Sequence, residues 1–366
     1  MSLNAVNHRR VLHRMPELDD ELPDTTAYVR KVLEPLGAEV FSPIKGSVCA
    51  YFDAGAEETV ALRADMDALP VTECTGLFFA SERPGRMHAC GHDGHTAIEL
   101  GLAEETARMI RAGEKLPRNV LFVFQPAEET TGGAGRICET GVFEKYRVTR
   151  IFGLHLWPNL PEGSVWSRPG PMMARSNEVT LKVTGRSVHV SRAAEGLDAL
   201  RAGVDWMNAA YAWTEALPPD VLRTLQFGRM TAGTVRNAVA GSAEIQGTLR
   251  TYDEDAAEMI RSHLRTLAAE TAERTGCGLE VSFSTGYPAV WNNETLFERV
   301  SRDLGADAPQ LLAEPVLAAE DFSFYQRCIP GVFFFLGVGP ALLLERRGRD
   351  PCGHRLHEED HGSPLE

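Results

Sequence analysis

The chain has 366 residues, 43% hydrophobic and 24% charged, with a formal net charge of −14. Its length suggests two domains, and its composition is that of a globular protein rather than a disordered or fibrous one. The acidic balance argues against nucleic acid and anionic membrane surfaces as partners, and no apolar stretch approaches the roughly 20 residues that span a bilayer.

A first helix follows Asp20-Glu21, with Tyr28, Val29, Val32 and Leu33 at helical spacing and Gly37 as its stop. Short apolar runs at 48–52, 59–63, 119–124 and 150–156 read as strands. Between the second and third, Ala97, Leu100, Leu102, Ala103, Ala107 and Ile110 predict a long helix over 96–111. Strands alternating with long helices give an α/β domain with a central, mostly parallel sheet flanked by helices. A different rhythm begins near Asn177: strand 178–183, a helix stripe of Leu197, Leu200, Val204, Met207 and Tyr211, strands 221–230 and 243–252, helix 253–275, and strand 279–283. That β-α-β-β-α-β order predicts a ferredoxin-like α+β unit. After Val290 the first rhythm returns, with a helix over 294–304 and a strand over 332–337. The expected organisation is therefore a discontinuous catalytic domain, 1–175 and 290–366, with an inserted domain at 176–289.

Seven cysteines, an odd number at wide spacing, fit free thiols in a reducing cytoplasm. The N-terminus, Met1-Ser2-Leu3-Asn4-Ala5, shows no apolar secretory segment. Cys90 differs from the other thiols in its neighbours, Met87-His88-Ala89-Cys90-Gly91-His92-Asp93. Thiolate and imidazole suit zinc and similar first-row ions. Alone, Cys-Gly-His reads as a loop cysteine beside a surface histidine. The other segments reverse that reading. Glu128-Glu129 follows the buried-looking run 120–124, where uncompensated charge is costly. A metal hydrolase needs one carboxylate as ligand and another, unligated, as general base, and adjacent residues could divide those tasks. His155 ends the run Ile151-Phe152-Gly153-Leu154; standing alone it would be a core histidine. Asp65 and Asp67 follow the 59–63 strand, as ligands or as groups that orient a ligand histidine, with Asp67 favoured for orienting. All these groups sit at or beyond the carboxyl ends of strands, where open α/β sheets place their sites.

Taken together, the chain resembles the M20 metallopeptidase and amidohydrolase family, in the branch of hippurate hydrolases, N-acyl amino acid amidohydrolases and indole-acetyl-amino acid hydrolases. The matching blocks are His13-Arg14-Met15-Pro16-Glu17-Leu18, Leu62 through Pro70, Met87 through His95, Phe124-Gln125-Pro126-Ala127-Glu128-Glu129, Gly153-Leu154-His155, Gly247-Thr248-Leu249-Arg250-Thr251 and Glu320-Asp321-Phe322-Ser323. They run in family order over about 8 to 340. The resemblance implies two divalent metal ions (zinc, manganese, nickel or cobalt), held by Cys90, His92, Glu129 and His155, with Glu128 as general base. It implies that the inserted domain is a lid that also dimerises, making a homodimer or higher homo-oligomer. There His189 would stabilise the oxyanion, often in the partner's site, while Asn237 and Arg250 grip the substrate.

Two departures accompany the resemblance. The run Val188-His189-Val190-Ser191-Arg192 replaces the family's small residues around the lid histidine and the Pro-His that follows it. The chain also ends at Glu366 without the family's closing helix; Leu356-His357 best matches the last ligand, and His361 competes with it. The expected activity is hydrolysis of the amide of a small-molecule N-acyl amino acid. The alternatives are an aminopeptidase or carboxypeptidase of the same family and a non-catalytic dimeric binding module. Cys90-Gly91-His92 favours the amidohydrolase branch, and a binding module has no need of a proton shuttle such as Glu128.

Overall fold

The computed structural model describes residues 3–339, so His357 and His361 lie outside the described residues. The chain divides into two compact units: one spans Met1–Met172 and resumes at Val290, the other is Met173–Ala289. In chain order the first unit contains α1 (Leu3–Arg14), α2 (Pro23–Leu33), β1 (Glu39–Phe41), β2 (Val48–Phe52), β3 (Thr59–Asp65), α3 (His92–Arg111) and β4 (Asn119–Gln125). Then come α4 (Gly133–Cys138), α5 (Val142–Lys145), β5 (Val148–Trp157), β6 (Val165–Ser167) and β7 (Gly170–Met173). The second unit carries β8 (Arg175–Thr184), α6 (Ala199–Glu215), β9 (Arg223–Ala232), β10 (Ser242–Thr251), α7 (Glu254–Thr275) and β11 (Gly278–Phe283). The chain returns through β12 (Val290–Asn292), α8 (Glu294–Leu304), β13 (Gln310–Leu311), α9 (Ser323–Cys328) and β14 (Gly331–Gly337).

Among the described residues the first unit builds an eight-stranded sheet in the order β1-β2-β4-β3-β5-β14-β6-β13. Its centre, β4-β3-β5-β14, is parallel throughout, while β2 and β6 run antiparallel to their inner neighbours. Every residue of β4 is buried, as the continuous run Val120-Leu121-Phe122-Val123-Phe124 demands of a strand covered on both faces. Leu100, Ala103 and Ala107 of α3 pack with Leu12, Val29, Leu33, Val48, Phe122 and Phe124 to form one core. Because β3, β4 and β5 are parallel, their carboxyl ends share one edge of the sheet, with Asp65 opposite Gln125. Asp67, Glu128, Glu129 and His155 are therefore delivered to the same place.

Helix α3 begins at His92, not at Thr96 as the apolar stripe predicted. Gly91 supplies the N-cap at φ 93°, a left-handed conformation open to glycine at little cost. The first turn is His92-Asp93-Gly94-His95, all buried, and its polar faces point into a site rather than along the apolar stripe. A hydrophobic pattern cannot mark such a turn.

The second unit is an antiparallel sheet in the order β11-β8-β10-β9, with the connectivity β-α-β-β-α-β. Alternate residues Val179, Leu181 and Val183 of β8 face α6 and α7. Trp206 of α6 is fully buried in that core, and its Nε1 donates to Leu264 O at 3.1 Å. Asp253 caps α7 by accepting from Ala256 N at 2.9 Å, and Gly276 closes it in the left-handed conformation.

Candidate metal centre

One face of α3 points at the strand ends. His92, His95, Thr96 and Glu99 follow i, i+3, i+4, i+7 spacing, so they lie on one stripe. Each finds a partner on β3, β4 or just beyond. His92 Nδ1 lies 2.8 Å from Asp67 O, His95 Nδ1 2.6 Å from Asp65 Oδ1, Thr96 Oγ1 donates to Asp65 O at 2.9 Å, and Glu99 Oε1 accepts from Val123 N at 3.0 Å.

A carbonyl can only accept, so His92 Nδ1 donates to Asp67 O and its Nε2 is turned toward Glu129. That Nε2 is buried without a hydrogen-bond partner, and so is Glu129 Oε1, 3.8 Å away. His155 shows the same arrangement. Its Nδ1 donates to Leu156 O at 2.7 Å, leaving Nε2 3.8 Å from Cys90 Sγ. The N···O spacing is too long for a good hydrogen bond, and the S···N spacing is that of a weak sulfur contact. Both suit ligands of shared ions: zinc bond lengths give roughly 3.4 Å between tetrahedral N and O ligands and about 3.6 Å between S and N. The ligand atoms of Cys90, His92 and His155 lie within 4.8 Å of one another, as do those of His92, Glu128 and Glu129. Sulfur, imidazole and carboxylate donors with two orphaned buried atoms fit divalent first-row ions.

Asp65, His92 and His95 also cluster within 4.8 Å, but His95 has no lone pair to offer. Its Nδ1 donates to Asp65, and its Nε2 accepts from Leu156 N at 2.8 Å. Asp65 is held in turn by Arg63 Nη1 at 2.8 Å.

Asp67 orients the site, and its carbonyl, rather than its carboxylate, receives the His92 proton. The carboxylate instead accepts from the amides of Glu128 and Glu129, both at 3.0 Å. The turn that presents them is strained: Ala127 sits at φ 61°, rare for a residue with a Cβ.

Buried Arg63 gathers the remaining acids. Its Nη2 donates to Asp321 Oδ1 at 2.6 Å and lies 3.0 Å from Glu320 Oε1, while Nε donates to Gln125 Oε1 at 2.8 Å. Glu320 and Asp321 lie within 4.8 Å of the Glu128 carboxylate. Burial, then the charges of Glu320, Glu129 and Asp321, push Glu128 well above the usual carboxyl range. Burial disfavours the cationic form of His92, but Asp65, Asp67 and Cys90 outweigh it and raise its pKa. A field that draws a proton to that spot offers the same attraction to a metal cation. His155 is pushed well below its ordinary value by burial and by His95, which keeps it neutral for ligation. Arg63, His95 and Gln125 received no role from the sequence. The clue available was the spacing of His95 three residues after His92, just ahead of the predicted helix.

Of the expected site residues in the second unit, His189 and Asn237 are exposed and lie on adjoining segments. His189 bridges to Ala238, and Val190 N donates to Asn237 O at 3.0 Å. His189 Nδ1 is 2.9 Å from Ser191 Oγ. Arg250 lies near the other end of β10, opposite Ser176 and Thr224. At about 3.3 Å per residue, that strand separates it from the Asn237 end by roughly 26 Å.

The chain matches Peptidase family M20/M25/M40 over residues 61–345. It belongs to that family. An uncharacterized hydrolase of Staphylococcus haemolyticus is 34% identical over 338 residues, 91% of this chain and 88% of the relative. The crystal structure of a proposed aminohydrolase from methicillin-resistant Staphylococcus aureus is similar with a TM-score of 0.86 at 30% identity, covering 94% of each chain. A Bacillus subtilis protein described as a dinuclear metal binding peptidase of the M20 family gives 0.78 at 30% identity, covering 93% of this chain and 94% of that one. This M20 chain is thus a hydrolase. Among its described residues no helix is long and apolar enough to cross a membrane, and Cys49, Cys74, Cys90, Cys138, Cys277 and Cys328 form no disulfide.

Proposed function

We propose that this M20 hydrolase cleaves the amide bond of small N-acyl amino acids, hippurate-like or related, at a paired metal centre held by Cys90, His92, Glu129 and His155. The observation that carries the reading is the pair of orphaned buried atoms, His92 Nε2 and Glu129 Oε1, beside the Cys90–His155 pair. Divalent ions there, zinc, manganese, nickel or cobalt, supply Lewis acidity and make water a better acid.

The rest of the chemistry falls to side chains. Glu128 takes the proton of the attacking water on its carboxylate and hands it to the leaving amine; its high proton affinity suits a group that must hold the proton between those steps. Glu320 and Asp321, pinned by Arg63, keep that affinity high. His189 donates a hydrogen bond to the developing oxyanion, a contribution typically of about 100- to 1,000-fold in rate. Arg250 offers a guanidinium fork to the substrate carboxylate, and Asn237 a second polar contact. A small amide cannot reach both ends of one lid sheet, so His189 and Asn237 serve one site while Arg250 serves another. That division calls for a homodimer.

Glu128→Gln tests the assignment. The variant is expected to retain its metal content and lose about 100- to 10,000-fold in turnover of hippurate-like substrates. A variant with wild-type turnover removes Glu128 from the reaction. A panel of acyl-amino acids against dipeptides separates the amidohydrolase reading from the peptidase activity described for the Bacillus subtilis relative.

A further inference from the structure

The β3–β5 ladder ends at the pair Arg63–Gly153, before β5 reaches the candidate ligand His155. Past that point β5 still pairs with β14, with His155 opposite Phe335 and Leu156 opposite Leu336. The Leu156 amide is instead taken by a side chain: its N–H donates to His95 Nε2 at 2.8 Å. The carbonyl of the same residue accepts the His155 Nδ1 proton at 2.7 Å. His95 is fixed from the other side, because its Nδ1 donates to Asp65 Oδ1 at 2.6 Å and Arg63 Nη1 holds Asp65 at 2.8 Å. The result is a chain in which His155 donates to Leu156, Leu156 to His95 and His95 to Asp65, with Arg63 donating to Asp65 from the other side, so every donor and acceptor is assigned by its partner. Leu156 is also wedged against the first turn of α3: a Cβ on Gly94 would come within 2.5 Å of Leu156 Cδ1. His95 is buried, and both of its nitrogens are used.

We propose that His95 is a positioning residue that acts through the backbone of Leu156 to hold His155 in its Nδ1–H form, with Nε2 aimed at Cys90 Sγ. This rests on the reading of His155 as a metal ligand. Groups that fix the tautomer and orientation of a ligand histidine typically change metal affinity about 10- to 100-fold when removed. The relay passes through a backbone carbonyl rather than a side chain. It therefore depends on the one acceptor, His95 Nε2, that orients the peptide unit.

Two substitutions separate this role from simple packing. The amide of Gln reaches the position of Nε2 and restores an acceptor for Leu156 N–H; the amide of Asn reaches only the position of Nδ1 and restores the bond to Asp65. His95→Asn is expected to weaken zinc binding about 10- to 100-fold, measured by competition with a chromophoric chelator. His95→Gln is expected to stay within about threefold of wild type, since the acceptor is kept. Equal losses in both variants, or wild-type affinity in a folded His95→Asn protein, would overturn the proposal. His155→Ala tests the underlying ligand assignment separately, by metal stoichiometry. Unchanged stoichiometry removes His155 as a ligand and the proposal with it, whereas lost stoichiometry beside wild-type affinity in His95→Asn removes only the positioning role. If His95→Asn does not fold, the zinc-loaded wild-type chain still decides. A scalar coupling between the Leu156 amide nitrogen and His95 Nε2 is expected across their hydrogen bond, and its absence overturns the relay.

Discussion

Glu99 occupies the same stripe of α3 as His92 and His95, one turn farther from the strand ends, and its role is structural. Burial holds its carboxyl well above the usual range, against the opposing bond from Val123 N and the charge of Arg63. The folded chain therefore keeps this proton at pH values where the unfolded chain has released it. The stability it provides is present below the unfolded value, near 4.5, and is lost as pH rises toward the folded one. Glu99→Gln keeps an acceptor for Val123 and cannot ionise. The variant should gain stability over wild type progressively above that pH, as followed by urea unfolding from pH 5 to 8; parallel curves would show that Glu99 ionises freely in the fold. At this same scale the sequence was readable where chemistry is local: Cys90, His92, Glu128, Glu129 and His155 stand out by residue type and by their place after apolar runs. Arg63 and His95 did not, because their roles exist only once β3, α3 and β5 are side by side. A buried arginine looks like any other arginine until the four acceptors that need it are assembled around it.

The elements show the same division. Apolar runs located β2 through β5 and β14 because strands of a sheet buried on both faces have no polar face to blur the pattern. The start of α3 was hidden because its first turn is polar, serving the site instead of the core. The turn between β4 and α4 carries both Glu128 and Glu129, and it is tightly closed: a Cβ on Gly133 would meet Pro126 O at 2.0 Å. Gly133→Ala should destabilise the chain by about 2–3 kcal/mol, since backbone must move to admit the methyl group. Metal affinity should fall with it, as the glutamates are displaced; urea unfolding and chelator competition on one preparation would show both. In the second unit, Trp206→Ala should cost about 3–5 kcal/mol through the cavity left between α6, α7 and the sheet. If calorimetry showed an unchanged transition, the packing of that core around Trp206 would be wrong.

For the whole molecule, the two-part chain order was legible because the hydrophobic rhythm changes near Asn177 and changes back after Val290. The distance between Arg250 and Asn237 within the second unit was not, since it follows from the length and direction of β10. That separation gives the proposed dimer its own test. His189→Ala and Arg250→Ala chains should each be nearly inactive alone, yet mixing them through reversible dissociation should restore about one quarter of wild-type activity, because half of the dimers then contain one complete site. No recovery would place both residues in the same site. The account as a whole rests on sulfur, imidazole and carboxylate meeting at shared ions. X-ray absorption at the zinc edge of the metal-loaded chain tests it most directly. Two ions per chain and a sulfur scatterer at about 2.3 Å, abolished in Cys90→Ser, are expected; a loaded chain with no sulfur neighbour, or one that binds no metal, would contradict it.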